Sequence, residues 1–311
     1  MLDEFMARER GIVTSTDLDG LLSSALLVLV SDWSLAGFFD SRDSLWLPSA
    51  RSFDANFHVF VDVHASRSDW VSIDQHVVAL NEEEAERLAR SRKKINPNLA
   101  RMTVFDGMNG RGFTSKYPFA TFHYLLALLE SGGITINLDL SRRVTQDLSL
   151  MDLVLRADGA AENTRNYARN AADWWNWLRT LGGSLTSEIA TAASAAANSP
   201  GGFSAKKRAL EVVFRQSGCS TSDANFADAL KADGTSVPEI IPRLFGLFGL
   251  TDVPALGPLR RSIGTHVRTS PNSSERTTLA QRDDLFTYAF TSTRAGGFSA
   301  TLMDLAAERR P

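Results

Sequence analysis

The chain has 311 residues, 43% of them hydrophobic and 22% charged, with a formal net charge of −3. That length supports a substantial core in one large domain or two ordinary ones, and the balance is that of a soluble globular protein. The weak net charge excludes a global basic field for nucleic acid, so any phosphate site must be local. The single Cys219 excludes a disulfide within the chain or a cysteine-based zinc cluster, as a reducing cytosol would lead one to expect.

Residues 1–10 read as a short helical lead-in, acidic at Asp3 and Glu4 and lacking the basic region of a signal peptide. Gly11–Thr16 is the first expected strand and Leu21–Trp33 the first long helix. The apolar run Leu21–Val30 is too short to span a bilayer, so a cytoplasmic protein with no membrane partner is expected. Between strand and helix stands Thr16-Asp17-Leu18-Asp19-Gly20. If the strand continues through it, Asp17 and Asp19 point to one side. Two carboxylates at a strand's carboxyl end, beside a helix N-terminus, suit divalent-metal or phosphoryl chemistry, although Asp-Gly is also an ordinary turn signal.

Short strands follow at Leu35–Phe39 and Ser44–Leu47. The β-prone run Phe57–His64 carries Asp62 near its carboxyl end, and Trp70–Ile73 leads into Asp74-Gln75-His76. Three strands releasing acids at the same end fit a parallel sheet, whose ligands bind outside the carboxyl ends. Glu82–Lys94 reads as a helix with acids first and bases last, ended by Asn96-Pro97-Asn98. Gly107–Lys116 is a glycine-rich loop, and Pro118 starts a helix through Phe119–Glu130.

Helices are expected at Asp147–Ala157, Ala171–Leu181 and Ser187–Ala197. Trp174, Trp175 and Trp177 read as core rather than as a base-stacking platform. Asn198–Gly202 is the clearest boundary signal. It divides the chain into an α/β domain over 1–198 with a mainly parallel sheet flanked by helices, a linker over 199–204, and a smaller C-terminal α+β domain over 205–311. That second part holds helices at Ala205–Gln216, Phe226–Lys231 and Ile240–Leu247, a polar segment Arg260–Arg282 and a strand Leu285–Thr291. His58 and His123 sit in apolar surroundings, where a hydrogen-bonded structural histidine is the default. His64 reads the same way, with service as a substitute ligand as the alternative.

In order and spacing, Ser15-Thr16-Asp17-Leu18-Asp19-Gly20, Asp62 and Asp74-Gln75-His76 resemble the motifs of the DHH phosphoesterase superfamily, over roughly the first half of the chain. The resemblance implies a metal-dependent phosphodiesterase acting on a nucleotide, a short oligonucleotide or a single-strand end, with one or two Mn2+ or Mg2+ ions. Asp17, Asp19, Asp62 and Asp152 would hold the metal, with Asp158 as the alternative fourth acid. Asp74 and His76 would be catalytic, His76 facing the phosphate. The family's C-terminal glycine-rich loop is loosely matched by Arg294-Ala295-Gly296-Gly297-Phe298. Arg294, Gly296 and Gly297, together with Arg261 and His266 in the segment 260–268, would contact substrate; a turn between two strands and a solvated loop are the plainer readings. Partners would be the nucleotide or short single-stranded nucleic acid, with a homo-oligomer or larger complex left open.

Two positions depart from the family. Ser15 stands for the first motif's histidine and Gln75 for the first histidine of the third, and both are weaker ligands than imidazole. A catalytically degenerate relative serving as a binding or assembly module is therefore the alternative function. A haloacid-dehalogenase-like phosphatase with Asp17 as nucleophile ranks third, because Leu21 stands where that motif wants threonine or valine.

Overall fold

The computed structural model describes residues 6, 8–105, 114–217, 226–233, 238–251, 256–292, 294 and 296–305. Most of the expected loop over 107–116 and Cys219 lie outside them. The chain's contacts divide it into two compact units, neither continuous in sequence: residues 1–9, 16–35 and 118–255 form one, and residues 10–15, 36–117 and 256–311 the other. The expected linker at 199–204 instead joins two helices of the first unit.

The second unit carries the sheets. Strands β1 (Gly11–Ser15), β2 (Ser34–Phe39), β3 (Ser44–Pro48), β4 (His58–Val61), β5 (Val71–Ile73), β6 (Lys94–Ile95) and β7 (Leu259–Ile263) form one sheet in the order β6-β5-β4-β1-β2-β3-β7. Its β6, β5, β4 and β1 run parallel. As in parallel sheets generally, β1, β4 and β5 are buried at every position. β7 pairs antiparallel with β3, so the C-terminal segment completes this sheet. The expected polar segment 260–282 holds β7, β8 (Thr265–Thr269) and the helix Ser274–Ala280. A second, antiparallel sheet has the order β8-β10-β9, with β9 at Leu285–Phe290 and β10 at Phe298–Leu302. Phe286 of β9 meets Phe39 at 5.0 Å and Phe60 at 5.4 Å between ring centroids. This aromatic cluster, with Phe53 and Trp70, ties the small sheet to the large one.

The sequence suggests one helix over 82–94, but the helix α2 stops at Arg90 and Lys94 enters β6. Its ammonium donates to the carbonyls of Ala65, Arg67 and Trp70 at 2.6, 2.8 and 2.7 Å, closing the β4–β5 connection. Burial pushes the pKa of Lys94 down to about 7, and Lys94→Met removes three hydrogen bonds and strands three carbonyls. A loss of about 3 kcal/mol in urea unfolding is expected; an unchanged midpoint would refute this role.

The first unit is helical. Helix α1 (Leu18–Val30) begins three residues earlier than the apolar run suggests, because Asp17 is its N-cap and accepts from the Gly20 amide at 3.1 Å. The remaining elements are α4 (Thr121–Ser131), α5 (Leu150–Arg156), α6 (Ala160–Asn166), α7 (Ala168–Leu181), α8 (Ser184–Asn198), α9 (Ser204–Gln216), α10 (Ala227–Asp233) and α11 (Ile240–Leu247), with the short α3 (Pro97–Ala100) belonging to the sheet unit. Trp174 and Trp175 are buried, and Trp175 stacks on Phe119 at 3.9 Å, as a core assignment requires. Among the described residues no helix is long and apolar enough to cross a membrane.

Candidate functional site

Asp17, Asp19, Asp152 and Glu130 of the helical unit cap helix N-termini. Because the strand ends at Ser15 and Asp17 caps α1, Asp19 lies in the first helical turn, and the two carboxylates do not share a strand face. Asp19 is buried. Its Oδ2 accepts from the Thr121 amide at 2.6 Å, and its Oδ1 from the Phe122 amide at 3.0 Å and the Ser23 hydroxyl at 3.1 Å. The residue before α4 is Ala120, which has no acceptor to offer, so Asp19 reaches over from α1 to satisfy amides a helix N-terminus leaves open.

Asp152 closes a capping box. Its Oδ2 accepts from the Ser149 amide at 2.9 Å while Oδ1 receives the Lys206 ammonium at 2.7 Å. Asp158 is exposed and left-handed, with φ 46°. Glu130 repeats the device at the start of α8, accepting from the amides of Gly183, Leu185 and Thr186 and from the Thr186 hydroxyl. Burial alone would raise its pKa, but these four bonds outweigh that and hold it below the usual value. His123 is a satisfied core histidine. Its Nδ1 accepts from the Ala120 amide at 3.1 Å, which leaves Nε2–H to donate to the Val154 carbonyl at 3.1 Å.

In the sheet unit, the parallel strands β1, β4 and β5 bring Ser15, Asp62 and Asp74 to their carboxyl ends. Ser15, standing where the resemblance wants a histidine, donates its hydroxyl to Asp62 Oδ2 at 2.8 Å. Asp62 ends β4 in the left-handed region at φ 57°, a conformation that costs a non-glycine residue on the order of 1–2 kcal/mol. Asp74 is fully buried. Its Oδ1 accepts from the His76 amide at 3.0 Å and from Asn96 Nδ2 at 2.8 Å, and its Oδ2 lies 3.5 Å from His64 Nδ1. The Asn98 amide group donates to the Gln75 carbonyl at 2.7 Å.

Asp62 also borders a cavity of about 200 Å³ within this unit. Asp62, His64 and His76 line one side, and Thr287, Ser299 and Thr301 of the small sheet line the other. His64 is 2% exposed, neither ring nitrogen makes a hydrogen bond, and its ring meets the Tyr288 ring at 4.7 Å. Burial lowers its pKa, against the pull of Asp74.

The other residues expected to touch substrate stand elsewhere in the unit. Arg294, Gly296 and Gly297 form the turn between β9 and β10, where Gly296 has φ 77° and a Cβ on Gly297 would fall 1.9 Å from the Ser292 carbonyl oxygen. Those glycines are required by the hairpin itself. Arg261 donates to the Ser44 hydroxyl at 3.1 and 2.7 Å and lies over the Trp46 ring. His266 faces Thr301 across the β8–β10 register, and burial together with Arg42 and Arg268 lowers its pKa.

Among the described residues, no group of three or more His, Cys, Asp or Glu side chains is arranged to hold a metal ion. The donor chemistry points the same way: both oxygens of Asp19 and of Asp152 are taken by amides, hydroxyls or an ammonium. They do not fit a two-ion centre. Asp62, His64 and the hydroxyls of Thr287 and Ser299 give instead a small, partly apolar cavity a few polar groups. No family model, curated protein or solved structure matches the chain.

Proposed function

We propose that the protein is a catalytically degenerate DHH-like protein that uses the phosphoesterase fold as a binding module, with the cavity at Asp62, His64 and His76 as its ligand site. The observation that supports this reading is the engagement of Asp19. It is buried, and both of its oxygens hold the N-terminus of α4, a task that competes directly with coordinating an ion. Ser15 acts in the same sense by donating to Asp62. The ligand class is a nucleotide or a short single-stranded nucleic acid.

A second reading keeps catalysis, as a divalent-metal-dependent phosphodiesterase. What favours it is the gathering of Asp62, His64 and His76 at one cavity beyond the carboxyl ends of parallel strands. Hydrolysis of short oligonucleotides and cyclic dinucleotides in Mn2+ or Mg2+ separates the two. The binding reading expects equal, background release from the wild type and Asp62→Ala. Turnover by the wild type that disappears in Asp62→Ala would establish the second.

A further inference from the structure

His64 belongs to none of the motifs, yet it is the buried polar side chain on the cavity wall whose ring nitrogens make no hydrogen bond. With Nδ1 facing the Asp74 carboxylate, the favoured neutral tautomer carries its proton on Nδ1, and the lone pair of Nε2 is left for a ligand. Asp74 is itself fixed from behind. Asn96 Nδ2 donates to Asp74 Oδ1 and to the His76 carbonyl, both at 2.8 Å, and Asn98 Nδ2 donates to the Gln75 carbonyl. Each asparagine also works through its oxygen. Asn96 Oδ1 caps α3 through the amides of Asn98 and Leu99, and Asn98 Oδ1 accepts from the Tyr117 amide at 2.9 Å. Both are buried, at 2% and 0% exposure. The Asn96-Pro97-Asn98 stretch is thus a two-sided clamp across the whole Asp74-Gln75-His76 turn.

We propose that His64 contacts the ligand of this cavity through Nε2 as hydrogen-bond acceptor, and that Asn96, through Asp74, and Asn98, through the adjoining Gln75 carbonyl, are the positioning residues that set it there. The complementary ligand group is an O–H or N–H donor, such as a sugar hydroxyl of a nucleotide. The ligand part rests on the binding reading above; the positioning part does not.

Asparagine-to-aspartate substitutions separate the two sides of the clamp, since an aspartate keeps the accepting oxygen and loses the donating nitrogen. In Asn96→Asp the substituted carboxylate also confronts Asp74. Long-range proton–nitrogen NMR of the full chain at fixed pH reads imidazole tautomers directly, and His64→Gln assigns the His64 signals among five histidines. The wild type is expected to show His64 as a single Nδ1–H tautomer. Asn96→Asp and Asn98→Asp, folded by circular dichroism, are expected to show mixed or exchange-broadened tautomers. A 5′-phosphorylated deoxydinucleotide should shift His64 Nε2 in the wild type and shift it several-fold less in the variants. Identical His64 signals in the wild type and both variants would overturn the positioning role. A wild-type His64 unmoved by saturating dinucleotide would overturn the ligand contact and leave the positioning role standing.

Discussion

Asp19→Ala is expected to destabilise the protein by about 3 kcal/mol, because it strands two buried amide donors at the start of α4 and removes a charged cap. Asp19→Asn retains one accepting oxygen but presents an NH2 group to an amide donor, so it should recover less than half of the loss. The sign is diagnostic. A carboxylate held beside other carboxylates for a metal stores repulsion in the metal-free protein, and neutralising it leaves that protein as stable or more stable. Urea unfolding in the presence of a chelator decides the matter: a lowered midpoint supports the cap, whereas an unchanged or raised midpoint returns Asp19 to the set of candidate ligands.

Acid should destabilise the fold through His123. Burial pushes its pKa down from 6.5 to about 4, while its two backbone partners hold the neutral tautomer. The unfolded chain therefore binds a proton that the folded chain refuses between those values. The stability is fully present above pH 6.5, declines as pH falls, and is lost by about pH 4, a difference of about 3 kcal/mol from this one residue. His58 and His64, also lowered by burial, act in the same direction. Glu130 adds a loss at lower pH, since its depressed pKa favours the fold only while it is ionised. Comparing His123→Gln with the wild type isolates the histidine. The variant should be less stable at pH 7 and lose about 3 kcal/mol less between pH 7 and pH 4; parallel pH profiles would refute the assignment.

What could be read from the sequence were the elements whose residues decide their own structure. Val59-Phe60-Val61 and Val71-Ser72-Ile73 are β-prone runs that form the buried parallel strands β4 and β5, and the acids that follow them do end at one edge of the sheet. Trp174 and Trp175 of α7 and the hydrogen-bonded His123 are likewise where their surroundings suggest, while Trp177 is only half-buried. At the first motif a local competition decides the structure. Asp17 can end a strand or cap a helix, and capping moved the helix start to Leu18 and carried Asp19 inside.

The remaining features depend on partners distant in sequence. Nothing near Asp19 announces that Ala120 would leave the amides of α4 uncapped a hundred residues later. The run Leu259-Arg260-Arg261-Ser262-Ile263 lacks the apolar alternation of a strand, and it is recruited by pairing with β3. Asn96 and Asn98 read as a helix stop because their donors act on a turn twenty residues upstream. A signal for them did exist: buried asparagines flanking a proline need partners for both ends of each amide.

Isothermal titration of the metal-free protein with Mn2+ bears most directly on the claim that the motif carboxylates serve the fold rather than an ion. No saturable heat in the micromolar range is expected, and no difference between the wild type, Asp19→Asn and Asp62→Ala. Stoichiometric binding at micromolar affinity that vanishes in Asp62→Ala would contradict that claim.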